Sequence, residues 1–345
     1  MRGLAFFLIL LFLIPFQVNA ADQIPTVPPG GEKYMPENTE SFGQGLLEIL
    51  TDAAKLLLPA VKDAAKSCAK LLATALLLSI ASQTKGSTIK TNALVGSLSI
   101  SALLLSTTTS MIGLASQTVQ QLSDYGKMLI PIMTGALAAS GGGGTAVSLY
   151  TGTVVFDSIL SSFISILLLP MVQLYLVLSV ANSAIGDGLL VRLRDFVKWL
   201  MTWTLKIVLY IFTGYMGITK VVSGSADAAV LKATKLTISG MVPVVGGILS
   251  DASDSVLASA RITKSAAGVY GLLAVGALAV EPFLKIGAQY LMLKMTAAVC
   301  GVFAPKETAG LINNFSSAMG FLLAMTGSVC LMLLISVVCF MKGVS

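Results

Sequence analysis

The chain has 345 residues, of which 55% are hydrophobic and only 11% are charged, and its mean hydropathy is +0.88. Soluble domains carry about 25% charged residues, so this composition excludes an ordinary soluble protein and indicates an all-α, polytopic membrane helical bundle. The net charge of +6 does not indicate nucleic-acid binding, because the basic residues are scattered and mostly flank apolar runs, where they set topology.

The sequence lacks the residue patterns of covalent catalysis. It contains no His, which excludes His-based acid/base chemistry and His metal sites. Its four Cys residues have no C-x-x-C spacing, which is typical of small buried apolar side chains rather than of zinc ligands or a disulfide framework. A nucleophile elbow, a phosphate loop and a dinucleotide fingerprint are all missing from the sequence. We therefore expect no catalytic residue, no cofactor and no metal site, and a protein that is not an enzyme.

Two segments precede the first predicted helix. Residues 1–20 have the pattern of a signal peptide, with Arg2, an apolar core over residues 4–16, and small residues at Val18 and Ala20. Cleavage there would place the mature N-terminus outside the cytoplasm, and a retained anchor is the alternative. Residues 21–40 are rich in Pro and Gly, which predicts a flexible extracytoplasmic tether.

Residues 41–68 have the pattern of an amphipathic helix. Ser41 and Gln44 have the spacing of a capping box, which marks a helix start. The charged residues that follow recur at helical intervals on one narrow stripe, and leucines occupy much of the remaining surface. This helix would lie at the membrane surface or against a partner, or present a plain solvated face while it packs. Pro59 should bend it.

Residues 69–345 are predicted to form the transmembrane helical domain, with about seven spans. The predicted spans are residues 69–82, 93–115, 158–181, 199–221, 266–280, 286–303 and 315–341. Residues 116–127 are polar without being basic, which predicts an external loop. The sequence from Glu281 to Lys285 predicts a tight turn between two spans.

The first of two predicted re-entrant segments covers residues 128–156, where four consecutive glycines, Gly141, Gly142, Gly143 and Gly144, interrupt an apolar run. Each glycine costs a helix about 1 kcal/mol relative to Ala, which favours a hairpin over a continuous span. A hairpin that does not cross also leaves Arg192, Arg194 and Lys198 in the cytoplasm, as the positive-inside rule prefers.

The second predicted re-entrant segment is the stretch 235–254. Its apolar part, residues 238–249, is shorter than the roughly 20 residues of a spanning helix. Pro243, Gly246 and Gly247 lie in its middle and favour a broken backbone. Irregular backbone at membrane depth requires cover by protein or water. We therefore treat Gly141–Gly144, Pro243, Gly246 and Gly247 as candidate residues of a pore or hairpin.

Asp157 and Glu281 are the two candidate intramembrane charges. A carboxylate inside a membrane is costly and is by default a functional candidate. Asp157 could instead mark the outer membrane surface between the hairpin and the next span. Glu281 is spaced i, i+4 from Lys285, so a local ion pair at a membrane boundary is the alternative to a gating charge.

Several stretches of the chain resemble the stage III sporulation protein AE family. The resemblance is carried by residues 242–251 (VPVVGGILSD), preceded by Tyr215 and residues 222–227 (VSGSAD), and by residues 34–37 (YMPE) and 169–179 (LPMVQLYLVLS). These are long apolar strings rather than a catalytic signature, and it is their order and spacing that are specific. The resemblance runs from Tyr34 to the C-terminus.

This resemblance implies a membrane subunit of the multi-protein channel of endospore formation, in the mother-cell membrane that surrounds the forespore. The implied partners are the other stage III A-operon proteins, including a separate ATPase, and a partner on the forespore side. The lipid bilayer is a further expected partner, nucleic acid is not, and assembly of several copies of the chain is left open. The alternative functions are a stand-alone secondary transporter and a non-conducting scaffold of the same complex.

Overall fold

The computed structural model of the chain describes residues 25–37, 39, 41–82, 89–241 and 246–342, and it describes side chains outside residues 82–93 and 220–264. The described backbone is almost entirely helical and contains no strand. Its helices are α1 (Pro29–Glu32), α2 (Phe42–Ser82), α3 (Ile89–Ala139), α4 (Gly143–Ser162), α5 (Leu169–Ile185), α6 (Gly188–Met241), α7 (Gly246–Phe303) and α8 (Lys306–Lys342), and a π-helix (Phe163–Leu168) joins α4 to α5.

Six helices within the described residues are long and apolar enough to cross a membrane, judged by length and composition. They are Phe42–Ala81, Leu94–Ala139, Gly143–Ile185, Gly188–Thr219, Ser265–Phe303 and Lys306–Lys342. Many large hydrophobic side chains point outward, among them Val302 at 87% exposed and Ile166 at 79% exposed. Such an apolar exterior suits contact with lipid rather than with water. The predicted fold class, a polytopic membrane helical bundle, is confirmed.

Six candidate spans are found rather than the predicted seven because α7 is continuous through Pro282. The tight turn predicted from Glu281 to Lys285 was wrong. A proline within a helix removes one backbone hydrogen bond but does not have to end the helix. Pro282 is buried, and packing on both sides of it holds the backbone helical. The predicted spans 266–280 and 286–303 are therefore two parts of one helix.

The external loop predicted over residues 116–127 was also wrong, because these residues belong to α3. Val119, Leu122 and Tyr125 are fully buried, whereas Gln120 and Asp124 lie on the exposed face and are hydrogen-bonded to each other at 2.9 Å. The segment is thus an amphipathic stretch of helix. Its polarity indicated a loop only because half of its surface faces away from the bundle.

Helix α8 is the centre of the bundle and packs against α3, α4, α5, α6 and α7. It carries no charged residue between Glu307 and Lys342, so it can be surrounded by other helices without desolvating a charge. Its largest fully buried side chain is Phe340, and Met319, Met325 and Met332 are also without exposed surface.

Glycines allow the helices around α8 to approach closely. A Cβ atom at Gly126 of α3 would lie 2.7 Å from Leu333, and one at Gly268 of α7 would lie 2.3 Å from Met341. Both distances are too short for real carbon–carbon contacts, so each glycine receives a side chain of α8 where a methyl group would collide. Close approach at small residues is the usual way for helices to associate in lipid.

The N-terminal segment 25–37 is packed on the bundle. Val27 and Tyr34 are buried, and a Cβ atom at Gly31 would lie 2.8 Å from Leu278 of α7. The segment was predicted to belong to a flexible tether from its Pro and Gly content, but those residues form the short helix α1, which begins next to Pro28. The predicted signal peptide, residues 1–20, lies outside the described residues.

The predicted amphipathic helix and the first predicted span are parts of one helix, α2. Leu47, Leu50 and Leu58 form part of its exposed apolar face, and Leu58 is 75% exposed. Pro59 lies within the helix, next to Leu58. The first half of α2 therefore presents a leucine surface that the described part of the chain does not cover.

Gly152 offers a direct test of the packing between α4 and α6. A Cβ atom there would lie 2.1 Å from Cε1 of Tyr215, whose hydroxyl donates a hydrogen bond to the Ser148 carbonyl at 3.0 Å. We expect Gly152→Ala to destabilise the protein by about 1–3 kcal/mol, as overpacking does, and to lower its thermal unfolding midpoint in detergent.

Gly214→Ala is the matched control, because a Cβ atom at this position of α6 would meet no atom within 4 Å. The control should leave the midpoint unchanged or raise it slightly, since Ala favours a helix by about 1 kcal/mol over Gly. Equal midpoints for the two variants would contradict the packing described here.

Candidate functional site

Asp157 is a buried carboxylate within α4. It is 4% exposed and accepts a hydrogen bond at 2.7 Å from the Ser123 hydroxyl of α3. Its other oxygen, Oδ1, is buried and has no hydrogen-bond partner. None of the ion pairs among the described residues includes Asp157, and Lys127 pairs with Asp124 at 3.0 Å instead. An unpaired carboxylate at such a position is costly unless it carries a proton or binds a ligand.

A cavity of about 10 Å³ borders Asp157 and is also lined by Gly126, Thr153 and Leu333. This volume is at the lower limit for holding a single water molecule. Beside it, the Thr153 hydroxyl donates to the Ser336 hydroxyl of α8 at 3.1 Å. The carboxylate therefore lies near a small group of buried hydroxyls between α3, α4 and α8. It is in the middle of a helix rather than at a helix end, where a surface marker between hairpin and span would lie.

The four-glycine stretch forms a turn between α3 and α4. Gly141 has φ +95°, a left-handed conformation that favours glycine. The Gly142 amide donates to the Leu137 carbonyl at 3.1 Å, and the Gly142 carbonyl accepts from Ala146 at 2.8 Å. Gly143 and Gly144 are the first residues of α4. Two of the four glycines thus make the turn, and the other two lie in a regular helix.

In the second predicted hairpin, residues 242–245 and all side chains lie outside the described part of the structure. Pro243 is outside the described residues. Gly246 and Gly247 are the first two residues of α7, and α6 ends at Met241. The assignment of these residues to a pore or hairpin stays a prediction.

Glu281 lies at a junction between α7 and the N-terminal segment. It accepts hydrogen bonds from the Lys285 ammonium and, at 3.4 Å, from the Tyr34 hydroxyl. The i, i+4 ion pair suggested by the sequence is therefore formed. Tyr34 is 5% exposed and packs on Ile49, Leu273 and Ala277. Burial, together with the negative charge of Glu281, raises the pKa of Tyr34 above its ordinary value of 10.0.

A π-helix interrupts the segment that the sequence predicts to be one uniform span. The Leu169 amide donates to the carbonyl of Ile164, five residues earlier, instead of four. Pro170 follows directly and has no amide hydrogen, which weakens the regular helical ladder at this point. Single π-turns are often found at functional sites. The proline was the one sequence signal for this irregularity.

The candidate residues do not form a single site. Asp157 lies 14 residues after Gly143 on the same straight element, which places the two about 21 Å apart at 1.5 Å per residue. No hydrogen bond or ion pair among the described residues joins Asp157 to Glu281. Across the described part of the chain, there is no group of three or more His, Cys, Asp or Glu residues that could hold a metal ion.

Two partners of these carboxylates were not anticipated from the sequence. Ser123 lies in the stretch that was interpreted as a loop, and Tyr34 lies in the stretch that was interpreted as a tether. The helical spacing of Val119, Leu122 and Ser123 could have indicated that Ser123 faces the core, once the loop interpretation was dropped.

Comparison with known proteins assigns the family. A sequence model described as Stage III sporulation protein AE matches residues 35–343, which include nearly the whole described bundle. The chain belongs to the stage III sporulation protein AE family. Stage III sporulation protein AE of Bacillus subtilis (strain 168) is 22% identical over 225 residues, which are 65% of this chain and 56% of that relative. No solved structure matches the chain.

Membership of the stage III sporulation protein AE family links the chain to sporulation. The predicted resemblance is confirmed, and so is the multi-pass helical organisation. The match spans only a little over half of the length of the Bacillus subtilis relative.

Tyr34 provides a pH-dependent test of the Glu281 junction. Because the folded state favours the neutral phenol, Tyr34 contributes stability that is fully present below pH 10 and is lost as the pH rises above that value. We expect the phenolate absorbance of the wild type minus that of Tyr34→Phe to show one phenol that titrates above pH 10.

Tyr210→Phe is the control, because Tyr210 is exposed and far from Glu281 in sequence. This variant should keep the late-titrating phenol. At neutral pH, Tyr34→Phe should also speed hydrogen exchange of the peptides over residues 25–37, by an amount that corresponds to about 1 kcal/mol. A Tyr34 phenol that titrates at or below pH 10 would rule out the junction.

Proposed function

We propose that the chain is a membrane subunit of a multi-protein channel or secretion-like complex that endospore formation requires. The observation that carries this proposal is the family match over residues 35–343, which covers a bundle with six candidate spans. We place the protein in the mother-cell membrane, facing the forespore.

The described surface supports assembly with other proteins. The first half of α2 presents an exposed leucine face that includes Leu47, Leu50 and Leu58. An apolar helical surface of this kind can lie on lipid or bind a partner helix. We propose as partners the other stage III A-operon proteins, including a separate ATPase, and a forespore-side protein. The ATPase must be separate because the sequence contains no phosphate-binding loop of its own.

The glycine- and proline-interrupted stretches are the proposed lining of the conduit. Gly141–Gly144 make a turn with two residues whose backbone groups are not in a regular helix. We extend the same role to Pro243, Gly246 and Gly247. Irregular backbone of this kind is tolerated in a membrane only where protein or water covers it.

Deletion of the gene in its own sporulating host tests the proposed function. We expect the deletion strain to complete engulfment and then to arrest, and a wild-type copy to restore heat-resistant spores. Normal spore numbers from the deletion strain would contradict a required channel subunit.

The second candidate function is a stand-alone secondary transporter, and the buried carboxylate of Asp157 favours it. Intramembrane carboxylates with free acceptor capacity are typical of proton and ion relays. A non-conducting scaffold is the third candidate, and it would need Asp157 only for packing with Ser123.

Asp157→Asn separates these candidates, because the amide keeps the size of the side chain and removes its charge. A transport role predicts that the variant protein accumulates normally, fails to restore sporulation and, after reconstitution in liposomes, loses any solute flux seen with the wild type. A scaffold role predicts normal sporulation with the same variant.

Asp124→Asn is the matched control. Asp124 lies on α3 close to the same region, but its side chain is 49% exposed and bonds Gln120 and Lys127 at the surface. A strain that carries this variant should sporulate normally under all three candidate functions. If both variants impair sporulation at equal protein levels, negative charge in this region is required in general. That result would contradict a specific role of Asp157 as a relay.

A further inference from the structure

A cleft of about 420 Å³ opens between α2, α3 and α7. Its volume falls within the roughly 300–1,000 Å³ range of small-molecule sites. Polar groups of the cleft include the hydroxyls of Ser106 and Ser110 and the charged side chains of Asp63, Glu281 and Lys285. Apolar side chains such as Leu56, Met111 and Leu284 complete the wall. The cleft is thus amphipathic.

Gln289 gives the cleft a polar group without a protein partner. This residue lines the cleft from α7 and is only 4% exposed. Its amide nitrogen Nε2 is buried and has no hydrogen-bond acceptor. Leaving a buried amide donor unpaired costs free energy that a ligand acceptor would recover. The position of Gln289 therefore indicates a ligand that accepts hydrogen bonds.

Two of the three helices around the cleft contain a proline near it. Pro59 of α2 lines the cleft itself, and Pro282 of α7 is adjacent to Glu281. A proline inside a helix removes the hydrogen bond to the carbonyl four residues earlier and favours a bend. Both helices are continuous through their prolines, so each lacks one backbone hydrogen bond near the cleft.

The charges of the cleft favour a zwitterion that contains an ammonium group. Asp63 and Glu281 are carboxylates, and Lys285, which is ion-paired with Glu281, is the single cation among the described lining residues. Two acidic groups against one basic group disfavour a purely anionic ligand. An ammonium can approach the carboxylates, while an oxyanion can approach Lys285 and the Gln289 amide.

Two further features narrow the class of ligand. None of the described residues that line the cleft is aromatic, so the cage that recognises quaternary ammonium groups is missing from this part of the chain. A primary ammonium, which can donate hydrogen bonds, fits the carboxylates better. Leu57 and Leu105, each adjacent in sequence to a lining residue, are exposed and add apolar surface to the helices that form the cleft.

We propose that the cleft between α2, α3 and α7 binds the ammonium–phosphate headgroup of a zwitterionic lipid with a primary amine, of the phosphatidylethanolamine type. The site does not depend on the proposed channel function. Gln289 donates a hydrogen bond to the phosphate. Lys285 keeps its ion pair with Glu281 and offers its remaining donors to the phosphate, while the free acceptor sites of Asp63 and Glu281 accept the ammonium.

Native mass spectrometry of the purified full-length protein tests this proposal. The protein is reconstituted in nanodiscs with equal amounts of phosphatidylethanolamine, phosphatidylcholine and phosphatidylglycerol, and the lipid retained after extraction is counted. We expect the wild type to retain phosphatidylethanolamine in preference to the other two lipids. Gln289→Leu should reduce that retention about tenfold, as loss of one hydrogen bond to a charged group would.

Gln173→Leu is the matched control, since Gln173 is an exposed glutamine on α5. It should retain lipid like the wild type. Ala60→Phe provides a second variant, because it narrows the cleft from α2 without touching a polar group. Ala60→Phe should also abolish the preferential retention of phosphatidylethanolamine. If Gln289→Leu does not fold, the result with Ala60→Phe tests the proposal on its own.

Addition of soluble phosphoethanolamine distinguishes the two sources of this headgroup. Displacement of the lipid by millimolar phosphoethanolamine would support the zwitterion site and assign it to a soluble solute, while persistence of the lipid would support a lipid site. Equal retention of all three lipids by the wild type would overturn the proposal. Unchanged retention in both cleft variants would overturn it as well.

Discussion

The burial of a charge-free central helix is the constraint on which the bundle depends. Helix α8 has no charged side chain from residue 308 to residue 341, so five neighbouring helices can surround it. In lipid, such contacts gain little from the hydrophobic effect and rely on close packing. Gly126 and Gly268 supply that packing, because each receives an α8 side chain where a Cβ atom would collide. The orientations of α3 and α7, and thus of Ser123 and Glu281, follow from these contacts.

Much of the architecture could be predicted from composition and glycine placement. The low charge content predicts a helical membrane protein, and the four glycines mark the boundary between α3 and α4. The predicted turn at residues 281–285 and the predicted loop at residues 116–127 were wrong, because a proline or a run of polar residues does not by itself end a helix. Pro282 does not end its helix, because packing keeps that helix intact. The polar residues around Gln120 belong to a helix rather than to the predicted loop, as their helical spacing requires. Tertiary contacts decide the first case, and a single sequence does not reveal them, whereas the helical spacing of the second stretch is present in the sequence itself.

The polar chemistry of the molecule was only partly visible in the sequence. Asp157 and Glu281 were predicted as candidates because carboxylates in apolar surroundings are rare. Ser123, Tyr34 and Gln289 were not, because each is an ordinary residue type whose role depends on what faces it. The structure also separates the two carboxylates: Asp157 has a free buried oxygen, and Glu281 bonds both Tyr34 and Lys285. Asp157 therefore keeps an acceptor oxygen for a proton or a ligand, whereas Glu281 already connects α7 to the N-terminal segment.

The π-turn at Phe163–Leu168 gives the α4–α5 element one residue more than a regular helix of that length would hold. Each residue of an α-helix accounts for about 100° of rotation. If the extra residue were absorbed elsewhere, α4 would turn about its own axis by roughly that angle relative to α5. This rotation would move the side chain of Asp157 from the interior of the bundle towards its outer surface.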